Sequence, residues 1–156
     1  QREGVRCPAF VQAAYVMPSI LELAGIPSPP TVQGSSLVPL LTGRGQAVRD
    51  CAVSSWAITH PPASGEVGLD SGDPYEWMPR ARKLKPSTIV MEDWALICGA
   101  GDFTPELYNL KQDPQQQHNL IREQREVAER LHRRYVEFLE WLQTDEEYLA
   151  PRRQLV

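Results

Sequence analysis

The chain has 156 residues, of which 42% are hydrophobic and 23% charged, a globular composition long enough to bury one core without a disulfide or metal staple. Its 16 basic and 20 acidic side chains leave a net charge of -4, which excludes the basic footprint that nucleic-acid binding needs. No apolar run reaches the roughly 18 residues of a membrane span and no charged stretch leads into an apolar one, so the reading is a soluble chain with no membrane partner and a cytoplasmic location.

In chain order, the first pattern is helical. Between Val11 and Ala24 the residues Val16, Ile20, Leu21, Leu23 and Ala24 fall near one face. Pro18 is tolerated in a first turn, where its missing N–H costs nothing, and Gly25 stands where a helix stop belongs. The chain opens on Gln1 rather than Met and the pattern starts abruptly, which points to a piece of a longer polypeptide. Pro27, Pro29 and Pro30 follow, then an apolar cluster of Leu37, Val38, Leu40 and Leu41 ending at Gly43, read as one short helix.

Residues Cys51 to Ile58 are rich in β-formers and predict a strand. From Thr59 to Arg82 the chain carries four prolines and three glycines with little periodicity, a length of loop that is uncommon unless it lines a site or is disordered. Ser87 to Met91 and Trp94 to Cys98 then read as strands joined by a tight turn at Glu92-Asp93, and Glu106 to Leu110 as a further strand. From about Glu123 to Gln143 the residues Val127, Leu131, Tyr135, Phe138 and Leu142 step by four, four, three and four, predicting a buried helix face. Glu126 with Arg130 and Glu129 with Arg133 are i,i+4 pairs on a solvated face. Such a helix needs a sheet to cover, so the fold class is α+β: a small antiparallel sheet of about four strands packed against a long C-terminal helix, preceded by a short helical lead-in.

No catalytic constellation emerges from the residues alone. Cys7, Cys51 and Cys98 have no partner at ligand spacing and read as buried thiols of a reducing compartment. His118 in a turn and His132 on the last helix read as exposed. No carboxylate cluster has the spacing of a metal site, so neither catalytic nor metal-binding residues are assigned. Trp56, His60 and the Pro-rich loop could edge a pocket.

A succession of phrases resembles the sulfatases. Val16-Met17-Pro18-Ser19-Ile20-Leu21-Glu22-Leu23-Ala24-Gly25-Ile26 is similar to the family's Pro-Thr helix and Ala-Gly turn, and Gln33-Gly34-Ser35-Ser36-Leu37-Val38-Pro39-Leu40-Leu41-Thr42-Gly43 to its "QG.SL.PLL.G" signature. Trp94-Ala95-Leu96-Ile97, Glu106-Leu107-Tyr108-Asn109-Leu110, Asp113-Pro114 and Asn119-Leu120 resemble "W.LI", "ELYDL", "DP" and "NL". Gly34 and Gly43 suit tight or positive-φ backbone, and Asp113-Pro114 suits a turn. The sequence departs from the pattern at Tyr15, where the family has an aspartate, and at Gln116 and Gln117, where a glutamate is common; the helix-opening cap should be weak.

The resemblance implies the C-terminal portion of a sulfuric-ester hydrolase, with residues 1–45 closing the main domain and 46–156 forming the C-terminal subdomain. It implies a missing N-terminal sulfatase domain as partner, a sulfated small molecule or glycan as substrate, and calcium and formylglycine as cofactors of the whole enzyme. Cys7-Pro8-Ala9-Phe10-Val11 does not match the family's Cys-x-Pro-Ser-Arg, so this chain by itself should be inactive, completing the fold and the substrate cleft. In that setting Trp56, His60, Trp77, Arg80 and Arg82 would contact the sulfated ligand. Two alternatives stay open: a non-catalytic α+β module that binds a partner, and the same region of a related phosphoesterase or phosphonate hydrolase.

Overall fold

The computed structural model describes residues 6–55, 86–100 and 103–155. Two compact units divide the chain, Gln1–Ala52 and Val53–Val156.

In the first unit a single 3-10 turn, Ala13–Tyr15, runs into helix α1, Val16–Leu23. Pro18 lies in the first turn, where N–H groups have no intrahelical acceptor. The Tyr15 side chain makes no capping bond, as the missing aspartate predicts. The helix stops in a Schellman motif: Gly25 takes φ 68°, its N–H reaches the Glu22 carbonyl at 3.1 Å, and the Ile26 N–H reaches Leu21 at 2.9 Å. Helix α2, Val38–Leu41, ends the same way, with Gly43 at φ 70° and the Arg44 N–H on the Pro39 carbonyl at 2.8 Å. Gly34 answers to the other need, tight space: a Cβ there would overlap the Ala14 carbonyl and lie 3.2 Å from the Tyr15 ring.

Helix α1 buries only Pro18 and Ser19. Ser19 is buried, donates to the Tyr15 carbonyl at 2.5 Å and accepts the Leu37 N–H at 2.8 Å. Val16, Met17, Ile20 and Leu23 are instead 52% to 68% exposed. Arg49 bonds Gln12, approaches the Tyr15 hydroxyl at 3.4 Å and stands 5.9 Å from the centre of that ring.

The second unit is built on a four-stranded antiparallel sheet in the order β1 (Cys51–Ser55), β2 (Ser87–Met91), β3 (Trp94–Cys98), β4 (Glu106–Asn109). The division between units falls inside β1. The last three positions of the predicted first strand, and the loop after it, lie outside the described residues. The β2–β3 hairpin turns at Glu92, which takes φ 55°, and its register pairs Ser87 with Cys98, Ile89 with Leu96 and Met91 with Trp94. Leu96 in turn opposes Leu107 across β3 and β4.

Three outward groups of β4 are occupied. The Leu107 N–H donates to Asn119 Oδ1 at 3.0 Å, the Leu107 carbonyl accepts the Leu120 N–H at 2.8 Å, and the Asn109 carbonyl accepts the Asp113 N–H at 2.7 Å. Asn119 and Asp113 thus act on the backbone. Asp113 also accepts the N–H groups of Gln117 and His118 at 2.7 and 2.8 Å, which pulls its carboxyl below the usual range.

Helix α3, Arg125–Trp141, lies across β2 and β3. Ile89, Leu96, Leu107 and Leu131 are wholly buried, and the Tyr135 hydroxyl, also buried, donates to Ser87 Oγ at 2.8 Å. The buried line is Ala128, Leu131, His132, Tyr135 and Leu139. Of the five predicted positions, Leu131 and Tyr135 are fully buried, while Val127, Phe138 and Leu142 are half-buried flanks. The centre of the face falls about one position C-terminal to the flanking stripe, over small Ala128.

His132 corrects the expectation of an exposed histidine: it is 7% exposed. The chain folds back through helix α4, Glu146–Leu149, and a 3-10 turn, Ala150–Arg152, placing the Arg152 carbonyl 2.9 Å from His132 Nε2. The predicted charge pairs are also rearranged. Arg130 forks onto Glu92 at 2.9 and 3.0 Å, and Glu129 accepts from Arg125 at 2.9 Å. Among the described residues no helix is long and apolar enough to cross a membrane.

Candidate functional site

The five residues read as ligand contacts, Trp56, His60, Trp77, Arg80 and Arg82, all lie outside the described residues. The described backbone reaches that segment from both sides. Ser55 ends β1 immediately before it, and Pro86 precedes β2 immediately after it.

At this junction the sheet carries an open depression of about 380 Å3 lined by Ser54, Ser55, Pro86, Thr88 and Ile97. Its position follows from strand register. Thr88 and Ile97 are directly paired and share a face, opposite to that of Ser87 and Cys98. Since Ser87 carries the bond to Tyr135 of α3, Thr88 and Ile97 belong to the face turned away from that helix. The strand β1 supplies two serines where its burial runs out, from buried Cys51 to exposed Ser54 and Ser55. Three hydroxyls and one branched apolar side chain can orient a polar ligand by hydrogen bonds. They contain no base to activate a nucleophile. Neither spacing nor composition singles out Ser54, Ser55 or Thr88 in the sequence; their one signal is a pair of hydroxyl residues at a strand end bordering a long loop.

Among the described residues of the second unit, the buried ionisable groups hold the fold. Burial pushes the Cys98 thiol up to about 12, with the nearby Arg152 charge opposing it, so the thiolate that chemistry would require does not form at neutral pH. Cys51 is likewise buried, whereas Cys7 is exposed, a correction to the expectation of three buried thiols. Burial lowers the pKa of His132; its bond to the Arg152 carbonyl works the other way, and the Arg125 charge adds to the lowering. Burial raises Tyr135 despite the bond to Ser87. Among the described residues no three His, Cys, Asp or Glu side chains gather as metal ligands.

No family model matches the chain, and no curated protein matches it. Solved structures do. A 2-O GAG sulfatase aligns over 86% of this chain and 27% of its own, at 18% identity and a TM-score of 0.60. A protein of Bacteroides thetaiotaomicron assigned as a sulfatase aligns over 84% of this chain and 25% of its own, at 21% identity and a TM-score of 0.56.

The fold is that of a sulfatase segment.

The chain spans about a quarter of the length of the structures it matches. The segment's architecture extends beyond sulfatases, since the phosphonate monoester hydrolase of Agrobacterium radiobacter aligns over 83% of this chain and 24% of its own, at 23% identity and a TM-score of 0.53. In this chain the family-like phrases mark backbone devices: "QG" is the close approach of Gly34 to Ala14, "PLL.G" is α2 with its Gly43 stop, and "NL" is the clasp on Leu107.

Proposed function

We propose that this chain is the C-terminal part of a sulfuric-ester hydrolase, completing its fold and walling its substrate cleft, with residues 1–45 belonging to the main body and 46–156 to the C-terminal subdomain. The observation that carries this reading is the alignment of most of the chain with a quarter of several sulfatases. The phrases from Val16 to Leu120 fall on the elements of that fold and support it from the sequence side. The nucleophile, as formylglycine, and the calcium would come from the remaining polypeptide. The class of substrate is a sulfated glycan, a proposal drawn from the glycosaminoglycan sulfatase among the matched structures.

Within that enzyme the segment from Trp56 to Arg82 forms part of the cleft wall, with Trp56 and Trp77 stacking on a sugar ring, His60 donating a hydrogen bond, and Arg80 and Arg82 meeting the sulfate. The hydroxyl-lined depression at Ser54, Ser55 and Thr88 stands beside the residues that flank that segment, which supports the reading.

The purified 156-residue chain should turn over no aryl sulfate, and calorimetry should detect no tight calcium binding. The natural polypeptide that contains it should hydrolyse a sulfated hexosamine, and His60→Ala and Arg80→Ala should each raise the Michaelis constant. Preference for a phosphonate monoester over every sulfate ester would transfer the reading to the second class represented among the structural matches. Hydrolysis of neither by the natural polypeptide would end both readings.

A further inference from the structure

We infer that the outward face of α1 is a docking surface for a larger protein body, the remainder of the sulfatase-like polypeptide, and that Ile20 and Leu23 are its anchors. The inference rests on the proposed function for the identity of the occupant. It begins from the direction of the helix.

Amphipathic helices ordinarily hide their apolar stripe and show their polar one. Here α1 buries only Pro18 and Ser19, the latter bonded to the Leu37 N–H, while Val16, Met17, Ile20 and Leu23 stand more than half exposed. Val16, Ile20 and Leu23 are spaced i, i+4, i+7 and form one stripe, with Met17 beside it. Beyond the Schellman stop Ile26 is 53% exposed, and Leu41 of α2 in the same unit is 56% exposed. Clustered side chains of this size mark an interaction site, because monomeric proteins rarely expose contiguous apolar patches beyond a few hundred Å2.

Three occupants are conceivable, and the structure favours one. A lipid surface selects helices with Lys or Arg on the polar side; α1 carries Ser19 and Glu22 there and no basic residue. A second copy would have to be held by eight residues of helix, about 12 Å of length, which is little for a stable dimer, where roughly 1,200 Å2 or more is usual. A pre-formed groove in a larger body has no such deficit, since it can wrap a short helix on several sides. The matched structures supply the length for such a body: they are about four times the length that this chain covers in them.

The test compares one double variant, Ile20→Glu with Leu23→Glu, in two settings: the 156-residue chain, and the natural polypeptide that contains it. In the 156-residue chain both positions face water, so the circular dichroism spectrum should be retained and Tm should move by no more than ~2 °C. In the natural polypeptide the same changes bury two charges, so Tm should fall by ~10 °C or more. Ile20→Leu should leave Tm of the natural polypeptide near that of the parent. Amide exchange should show residues 16–26 slow in the natural polypeptide and fast in the 156-residue chain. Equal Tm losses in the two settings, or unchanged exchange at 16–26, would overturn the proposal. So would a natural polypeptide that proves to contain no further sequence, concentration-dependent dimers abolished by the double variant, or binding to anionic phosphatidylglycerol vesicles.

Turnover of a sulfate ester by the natural polypeptide separates the two readings. A polypeptide protected at 16–26 but inert toward sulfate esters keeps the docking surface and removes the sulfatase reading. One that hydrolyses sulfate esters yet tolerates the double variant does the reverse.

Discussion

The side chains that set this molecule's stability are few, and each acts through a definable contact. Leu131 is wholly buried between helix and sheet, so Leu131→Ala should cost about 2–5 kcal/mol in urea unfolding. A loss below about 1 kcal/mol would mean that the helix is not seated as described. His132 and Asp113 make the acid response specific. Both have pKa values lowered in the folded chain, the first chiefly by burial and the second chiefly by the His118 N–H. A lowered folded pKa means that the unfolded chain binds protons first as pH falls, so each contribution is full above the unfolded pKa and is lost on acidification. The windows differ: His132 weakens the fold below about pH 6.5 and Asp113 below about pH 3.9. Denaturant midpoints measured from pH 8 to pH 3 should therefore fall in two stages, and His132→Gln should remove the upper one. A midpoint that holds constant from pH 7 to pH 5 in the parent chain would contradict the assignment.

Among the elements, the two Schellman stops and the Gly34 contact give separable predictions. At Gly43 no atom lies within 4 Å of an added Cβ, so Gly43→Ala is opposed only by its positive φ, a strain of about 1 kcal/mol. At Gly34 the added Cβ meets backbone, which cannot turn aside, so Gly34→Ala should be the more damaging of the two by thermal unfolding. Equal effects would mean that the segment from Gln33 to Leu37 does not lie against Ala14 and Tyr15. These glycines were legible in the sequence because a stop or a close approach leaves few residue choices. The β2–β3 hairpin was legible for a similar reason, since alternation on both sides of Glu92-Asp93 fixes its register. The exposed stripe of α1 was not, because periodicity identifies a stripe without saying whether it turns in or out. The burial of His132 was hidden too: it depends on a carbonyl 20 residues further along, delivered by a turn at Pro151 that has no periodic signal. The depression at Ser54, Ser55 and Thr88 joins residues from two strands, so no local pattern contains it.

At the scale of the whole molecule, the two units differ in how they are finished. Residues Val53–Val156 include a sheet with a helix closing one face and a C-terminal turn clamped by Arg153 to Glu140 and Glu146. The first unit, Gln1–Ala52, exposes the apolar stripe of its main helix. Native-state hydrogen exchange on the 156-residue chain should accordingly find its slowest amides in β2, β3 and α3, and fast exchange throughout α1. The reverse order would contradict the packing. The clasp on β4 bears on a different matter, the polymerisation of purified protein. Strand-by-strand growth requires a row of vacant backbone rungs at a sheet margin. At the β4 margin the rungs of Leu107 are taken by Asn119 and Leu120, and the Asn109 carbonyl by Asp113. Three occupied rungs hinder fibre extension from that margin, and Asn119→Ala, which frees the Leu107 N–H, should raise thioflavin fluorescence of the purified chain on incubation.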